Sequence, residues 1–180
     1  MKKSVLKLTR IALMTCILIV CAQIAIPFAG VPMTLQTFAV ALCGYILGAK
    51  NGLTTVFLYL MLGAIGLPVF TGMGASFGFL FGLTGGFLWG FFVLVFFCGI
   101  SSHIKSSVKA YFLSLSGLFL CHVCGVFWFS FVSENYILSA FFLTSLPYLL
   151  KDIASVIFAR ILVIKLRQRY PQLLLFHHVT

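Results

Sequence analysis

Asp152 and Glu134 are the only acidic side chains among 180 residues, and Asp152 sits in the last long apolar run with Lys151 directly before it. A carboxylate is costly in lipid, so Asp152 needs a partner or a task. Ionised, it accepts hydrogen bonds and can fix an N–H donor on a ligand. Thr34 and Gln36, at the head of another apolar run, can donate or accept beside it. Enzyme chemistry finds less support. There is no pair of carboxylates for acid–base work, no nucleophile with a recognisable base and no phosphate loop. The run Cys121-His122-Val123-Cys124 invites a metal, but zinc needs about four ligands and no second pair stands at a recognisable spacing. The six cysteines read as small apolar side chains within helices or at their ends, and His122 as a polar group facing a bundle interior. His177 and His178 read as a solvated tail. The expectation is a chain that is no enzyme, carries no cofactor or metal and cannot hydrolyse ATP by itself.

Composition says what must hold these residues. With 62% hydrophobic and 8% charged residues, there are too few polar side chains to clothe a soluble globule. The expected class is all-α and integral to the membrane, in one domain over residues 1–180. At about 20 apolar residues per crossing the length admits roughly six helices. They are expected near 8–27, 35–49, 53–70, 79–100, 110–132 and 146–166, separated by turn-forming or charged residues. The second is short, and its approach through Ala29-Gly30-Val31-Pro32 is expected to be partly non-helical, as is tolerated where backbone lines a cavity. The run from Tyr136 to Ser145 is too short to cross and reads as a surface helix. The net charge of +10 has no polar fold around it to form a nucleic-acid groove. In the six-helix arrangement Lys2, Lys3, Lys7, Arg10, Lys50, Lys105, Lys109, Lys165, Arg167 and Arg169 fall on one face. Arg160 can snorkel towards it, and Lys151 falls opposite. The positive-inside rule then places both termini in the cytoplasm and the connections 28–36, 71–78 and 133–146 outside. The first apolar run reads as a retained helix rather than a cleaved leader, because Val20 precedes Cys21 where a lipoprotein site wants a small residue.

Glycines recur every fourth residue at 44, 48 and 52 and again from 74 to 90. On a helix such a stripe admits a second backbone at close range. Residues 71–76 are too polar and flexible for good helix, so Gly74 and Gly78 are expected in a loop over a site. Four stretches carry a family resemblance: Val31-Pro32-Met33-Thr34-Leu35-Gln36-Thr37, Gly63 to Phe70, Gly82-Leu83-Thr84-Gly85-Gly86-Phe87, and Pro147-Tyr148-Leu149-Leu150-Lys151-Asp152. In order and spacing, from about Ala12 to Ile161, the chain resembles the BioY biotin transporters, the substrate-binding (S) subunits of energy-coupling-factor (ECF) vitamin importers. The resemblance implies a six-helix bundle of the ECF S-component type in the prokaryotic cytoplasmic membrane, which binds biotin near its outer face. It also implies docking to a transmembrane coupling subunit and two ATPases that power release inside.

Biotin offers two ureido N–H donors, one ureido carbonyl, an apolar thioether ring and a carboxylate on a flexible tail. A matching site needs an acceptor, a donor, apolar walls and a cation. Asp152 would accept from the ureido N–H, with Gln36 and Thr34 beside it, and Phe38, Phe70, Phe87 and Tyr148 as walls. The third stretch adds Thr84 to the expected contacts. The BioY pattern usually has a lysine three residues after the aspartate, implied to meet the ligand carboxylate, where this chain has Ser155. Lys151, one helical turn before Ser155 on the same face, can reach that region instead. Leu83 and Phe87 stand where proline and tyrosine are usual, and Met73 replaces a smaller or polar loop residue. S subunits also resemble one another in small residues spaced by four on the first helix, a pattern met here by Ala12 and Cys16 as the expected docking face. Two other readings stay open at this point: an ECF S subunit for another small vitamin, and an ion-coupled secondary transporter working through Asp152.

Overall fold

The computed structural model describes residues 2–27 and 32–170, with side chains from Ser4 onward. Residues 28–31 of the first outer connection, the side chains of Lys2 and Lys3, and the pair His177-His178 lie outside the described residues. The described chain runs as α1 (Lys2–Gln23), β1 (Ala25–Ile26), β2 (Met33–Thr34), α2 (Gln36–Ala64), α3 (Gly85–Ser101), α4 (Ser107–Ser133), α5 (Ile137–Thr144) and α6 (Leu146–Arg169). β1 and β2 form a two-stranded antiparallel ribbon, Ala25 opposite Thr34 and Ile26 opposite Met33.

α2 is not one rod. Gly48 takes φ 77° and ψ 174°, outside the helical region and disfavoured for a residue with a side chain. The chain doubles back there. A Cβ at Gly52 would lie 3.4 Å from the Cα of Gly44, and Gln36 Nε2 donates to the Tyr59 hydroxyl at 2.6 Å. In a straight helix those two residues would be about 35 Å apart. The two arms, residues 36–47 and 49–64, therefore lie side by side. Gly48 belongs to a reversal and not to a packing stripe, whereas Gly44 and Gly52 do meet α3: a Cβ at either would come 2.7 Å from atoms of Val95 or Cys98. Gly86 and Gly90 perform the same service between α3 and α4, where Trp128, Cys124 and Cys121 occupy the space of a side chain. In lipid, helix association comes from such close packing rather than from expulsion of water.

Two apolar runs overshoot their helices. The run at 53–70 is helical only to Ala64, because Gly66 adopts φ 100° and closes the end with two bonds, Leu67 N–H to Leu62 O and Gly66 N–H to Gly63 O, each 3.1 Å. This paired closure is a common helix stop that needs a left-handed residue. The run at 79–100 becomes α-helix only at Gly85, since Thr71–Met73 and Phe77–Phe81 are 3-10 turns that fold residues 65–84 across one end of the bundle. Tryptophans tie that crossing down: Trp89 and Trp128 donate their indole N–H to Leu80 O at 3.2 Å and Gly82 O at 3.0 Å. Gln23 fastens it from α1, donating to Phe70 O at 2.9 Å and accepting from Met73 N–H at 3.0 Å.

The passes alternate in direction from α1 through both arms of α2 to α3, α4 and α6, so Lys2 and Arg169 lie at the end away from that crossing. Among the described residues three helices are long and apolar enough to cross a membrane, within α1, α2 and α4; α3 is apolar but shorter.

Candidate ligand site

Under the crossing segment lies a cavity of about 150 Å³ reached by the ribbon, the outer end of the first α2 arm, α3, α4, α5 and α6. Seven of the ten expected site residues line it: Thr34, Gln36, Thr84, Phe87, Tyr148, Lys151 and Asp152. Asp152 is 6% exposed. Its Oδ2 lies 3.3 Å from His122 Nε2, and its Oδ1 is in ion-pair contact with Lys151 Nζ at 2.5 Å. The carboxylate is thus held between an ammonium and an imidazole, with the Thr37 hydroxyl also within reach. Lys151 also donates to Thr34 O, 2.7 Å away, joining α6 to the β-ribbon. On the other side His122 Nδ1 shares a 2.9 Å bond with the Ser145 hydroxyl. The ring of Phe87 stands edge-on to His122 at 5.8 Å.

A second polar group, Gln36, lines the same cavity. Gln36 fixes its amide by donating to Tyr59 and accepting from the Thr34 hydroxyl at 3.0 Å, and Thr71 Oγ1 adds a 3.5 Å contact from the crossing segment. The amide is thus oriented before any ligand arrives, and its carbonyl oxygen is turned towards donors. The hairpin in α2 makes this possible by bringing Tyr59 beside Gln36.

Three expected contacts do not reach the cavity. Phe38 turns outward onto Phe158, ring centroids 5.9 Å apart. Phe70 is fully buried behind the wall, edge-on to Tyr59 at 5.5 Å and stacked on Phe79 at 4.9 Å, so Phe79 is the lining ring and Phe70 its support. Ser155 is buried one turn below Lys151 and off the lining. Conversely His122, Thr37, Thr71, Phe79 and Phe91 line the cavity without having been expected there. Phe91 follows Phe87 by four residues and shares its helix face, a spacing visible in the sequence. The His122–Asp152 contact joins α4 to α6 and leaves no local trace. Among the described residues no group of three or more His, Cys, Asp or Glu is placed to hold a metal.

The arrangement is one of recognition: a carboxylate paired with an ammonium, an oriented amide, and apolar rings on the same lining. The model of the BioY family matches residues 1–172. The chain belongs to the BioY family. Among its relatives, the biotin transporter BioY of Thermotoga maritima is 34% identical over 163 residues, 90% of this chain and 96% of that protein. The probable biotin transporter BioY of Pyrococcus horikoshii is 36% identical over 146 residues, 81% of this chain and 86% of that one. A crystal structure of the S-component for biotin from an ECF-type ABC transporter superposes with a TM-score of 0.82 at 28% identity, covering 93% of each chain. This BioY chain is an all-α bundle of the ECF S-component fold and a multi-pass membrane protein.

Proposed function

We propose that the chain binds biotin in the cavity beneath the crossing segment and carries it across the cytoplasmic membrane as the substrate-specific subunit of an ECF-type importer. The observation that carries the reading is the buried Asp152–Lys151 ion pair, set as the one carboxylate and one ammonium on the lining of a ring-walled cavity. The carboxylate and the ammonium neutralise each other. Biotin offers each of them a better partner: a ureido N–H for Asp152 and the tail carboxylate for Lys151. One ligand thereby exchanges a single internal ion pair for two charge-assisted bonds. Thr34, Gln36 and Thr84 supply the polar rim, while Phe79, Phe87 and Tyr148 hold the apolar ring.

In this reading the chain crosses six times, counting the arms of α2 separately, with the cavity at the outer face and both termini in the cytoplasm; the distribution of cations supports it. The whole chain, residues 1–180, acts as a single membrane domain. It is no enzyme. The energy comes from a transmembrane coupling subunit and two ATPases, and no nucleic acid is involved. Ala12 and Cys16 are exposed on α1, in company with Val5, Leu8 and Val20, each at least 60% exposed. Their small side chains make a flat strip on which the coupling subunit docks. Ala12→Trp is expected to abolish biotin uptake in cells carrying the importer while the purified variant still binds biotin; loss of both would mark a folding defect instead.

Titration of the purified protein with biotin, desthiobiotin, thiamine and riboflavin tests the ligand. Biotin and desthiobiotin, which share the ureido group and the tail, are expected to bind, and the other two to show no heat. Selective binding of thiamine or riboflavin would assign the site to another vitamin. Uptake that collapses on adding an uncoupler while ATP is maintained would assign the chain to ion-coupled transport.

A further inference from the structure

A second cavity, about 350 Å³, opens at the opposite end of the bundle between the first arm of α2, the α3–α4 connection and α6. Its chemistry is of one sign. His103, Lys105, Arg160 and Arg167 line it together with the hydroxyls of Ser102 and Ser107. Arg160 is only 7% exposed. Its Nη1 donates to Ser101 O at 3.3 Å and its guanidinium lies 5.7 and 5.1 Å from the rings of Tyr45 and Tyr111. Its Nε is buried with no hydrogen-bond partner. Arg167 reaches in from the next turns of α6, donating to Tyr45 O at 2.6 Å and Ser102 O at 3.2 Å.

No side-chain anion of this chain can answer these cations. Glu134 and Asp152 are the whole acidic inventory. Glu134 closes the far end of α4, a helix of 27 residues and so about 40 Å long. Asp152 is eight residues up α6 from Arg160, about 12 Å away, and is engaged with Lys151 and His122. The carbonyls that end α3 offset part of the charge. The start of α4 adds to it: Ser106 makes no side-chain cap, and the positive end of that long helix faces the cavity at Ser107. A buried guanidinium with an idle donor, beside a second arginine, a lysine and two hydroxyls, fits a tetrahedral oxyanion better than any internal group on offer.

We propose that this cavity is a phosphate-binding site, filled at the inner face of the membrane by the headgroup of an anionic phospholipid. Its volume is that of a ligand pocket rather than of a bare-ion cradle, and basic pockets between transmembrane helices on the cytoplasmic side are a known setting for such headgroups. Only the orientation rests on the membrane reading above; the identity of the transported ligand does not enter.

The test uses the full-length protein in neutral detergent. Phosphatidylglycerol, phosphatidylcholine and sodium phosphate are the probes, read by native mass spectrometry and by thermal unfolding. Phosphatidylglycerol is expected to remain bound and to raise the unfolding temperature, at about a tenth of the phosphatidylcholine concentration needed for any effect. The variants Lys105→Gln and Arg167→Gln, each made singly so that Arg160 stays in place, are expected to lose that selectivity. A cooperative thermal transition of the lipid-free variants shows that they are folded, and biotin titration of the same samples keeps a failure here separate from a failure of the biotin reading. Displacement of the lipid by millimolar phosphate would identify the free anion as an equal occupant of the same site. Equal retention of both lipids, or selectivity untouched in both variants, would overturn the proposal.

Discussion

Asp152→Asn is expected to weaken biotin binding by about 10- to 150-fold, the equivalent of one charge-assisted hydrogen bond worth about 1.5–3 kcal/mol. Asparagine keeps the shape but halves the acceptor capacity and turns an N–H₂ towards Lys151 or His122, both of which already approach as donors or cations. The fold should tolerate the change, because asparagine fills the same volume in the cavity wall. Isothermal titration of purified variant and parent measures it, and an affinity within twofold of the parent would remove Asp152 from the ligand's contacts. Lys151→Ala is the companion. If its biotin affinity equals the parent's while Asp152→Asn falls sharply, Lys151 anchors α6 to the ribbon through Thr34 O and serves no ligand carboxylate.

The largest loss of stability at this end is expected from Phe70→Ala, about 3–5 kcal/mol for truncating a fully buried phenylalanine. The ring sits in the space that Gly63 leaves by having no side chain, with Tyr59 against its edge and Phe79 on its face. Removing it empties a volume that neither helix arm can collapse into, and it withdraws the backing from the lining ring. Thermal unfolding in detergent should drop by many degrees, and biotin binding should weaken as well even though Phe70 never touches the cavity. Phe70→Leu, which refills most of the space, should recover most of both. Unchanged unfolding in the alanine variant would show that the crossing segment is held without this stack.

Much of the site was legible because polar groups are scarce in this chain. Asp152, Lys151, Gln36, Thr34 and Tyr148 each interrupt or border an apolar run, and all five line the cavity. The aromatic walls were not legible in the same way. With lipid outside and apolar packing inside, a phenylalanine gains nothing that marks its direction: Phe38 and Phe87 read alike in sequence, yet one meets Phe158 and the other His122. Helix ends suffered from the same ambiguity. Leu67, Val69, Phe79 and Leu80 are as apolar as any membrane span, but they belong to a crossing folded over the bundle, and only Gly66 and the polar 71–76 stretch betray it. His122 shows a different limit, since its contact with Asp152 depends on how α4 and α6 lean together.

The reversal at Gly48 bears on how the chain enters the bilayer. Its first arm, residues 36–47, is about 18 Å long, well short of a hydrocarbon core of about 30 Å. With a single non-helical residue between the arms, neither can be threaded while the other waits in water. They must partition together, and the bend that joins them carries Lys50 at the same end of the bundle as Lys105, Arg160 and Arg167, which gather round Tyr45 three residues before the bend.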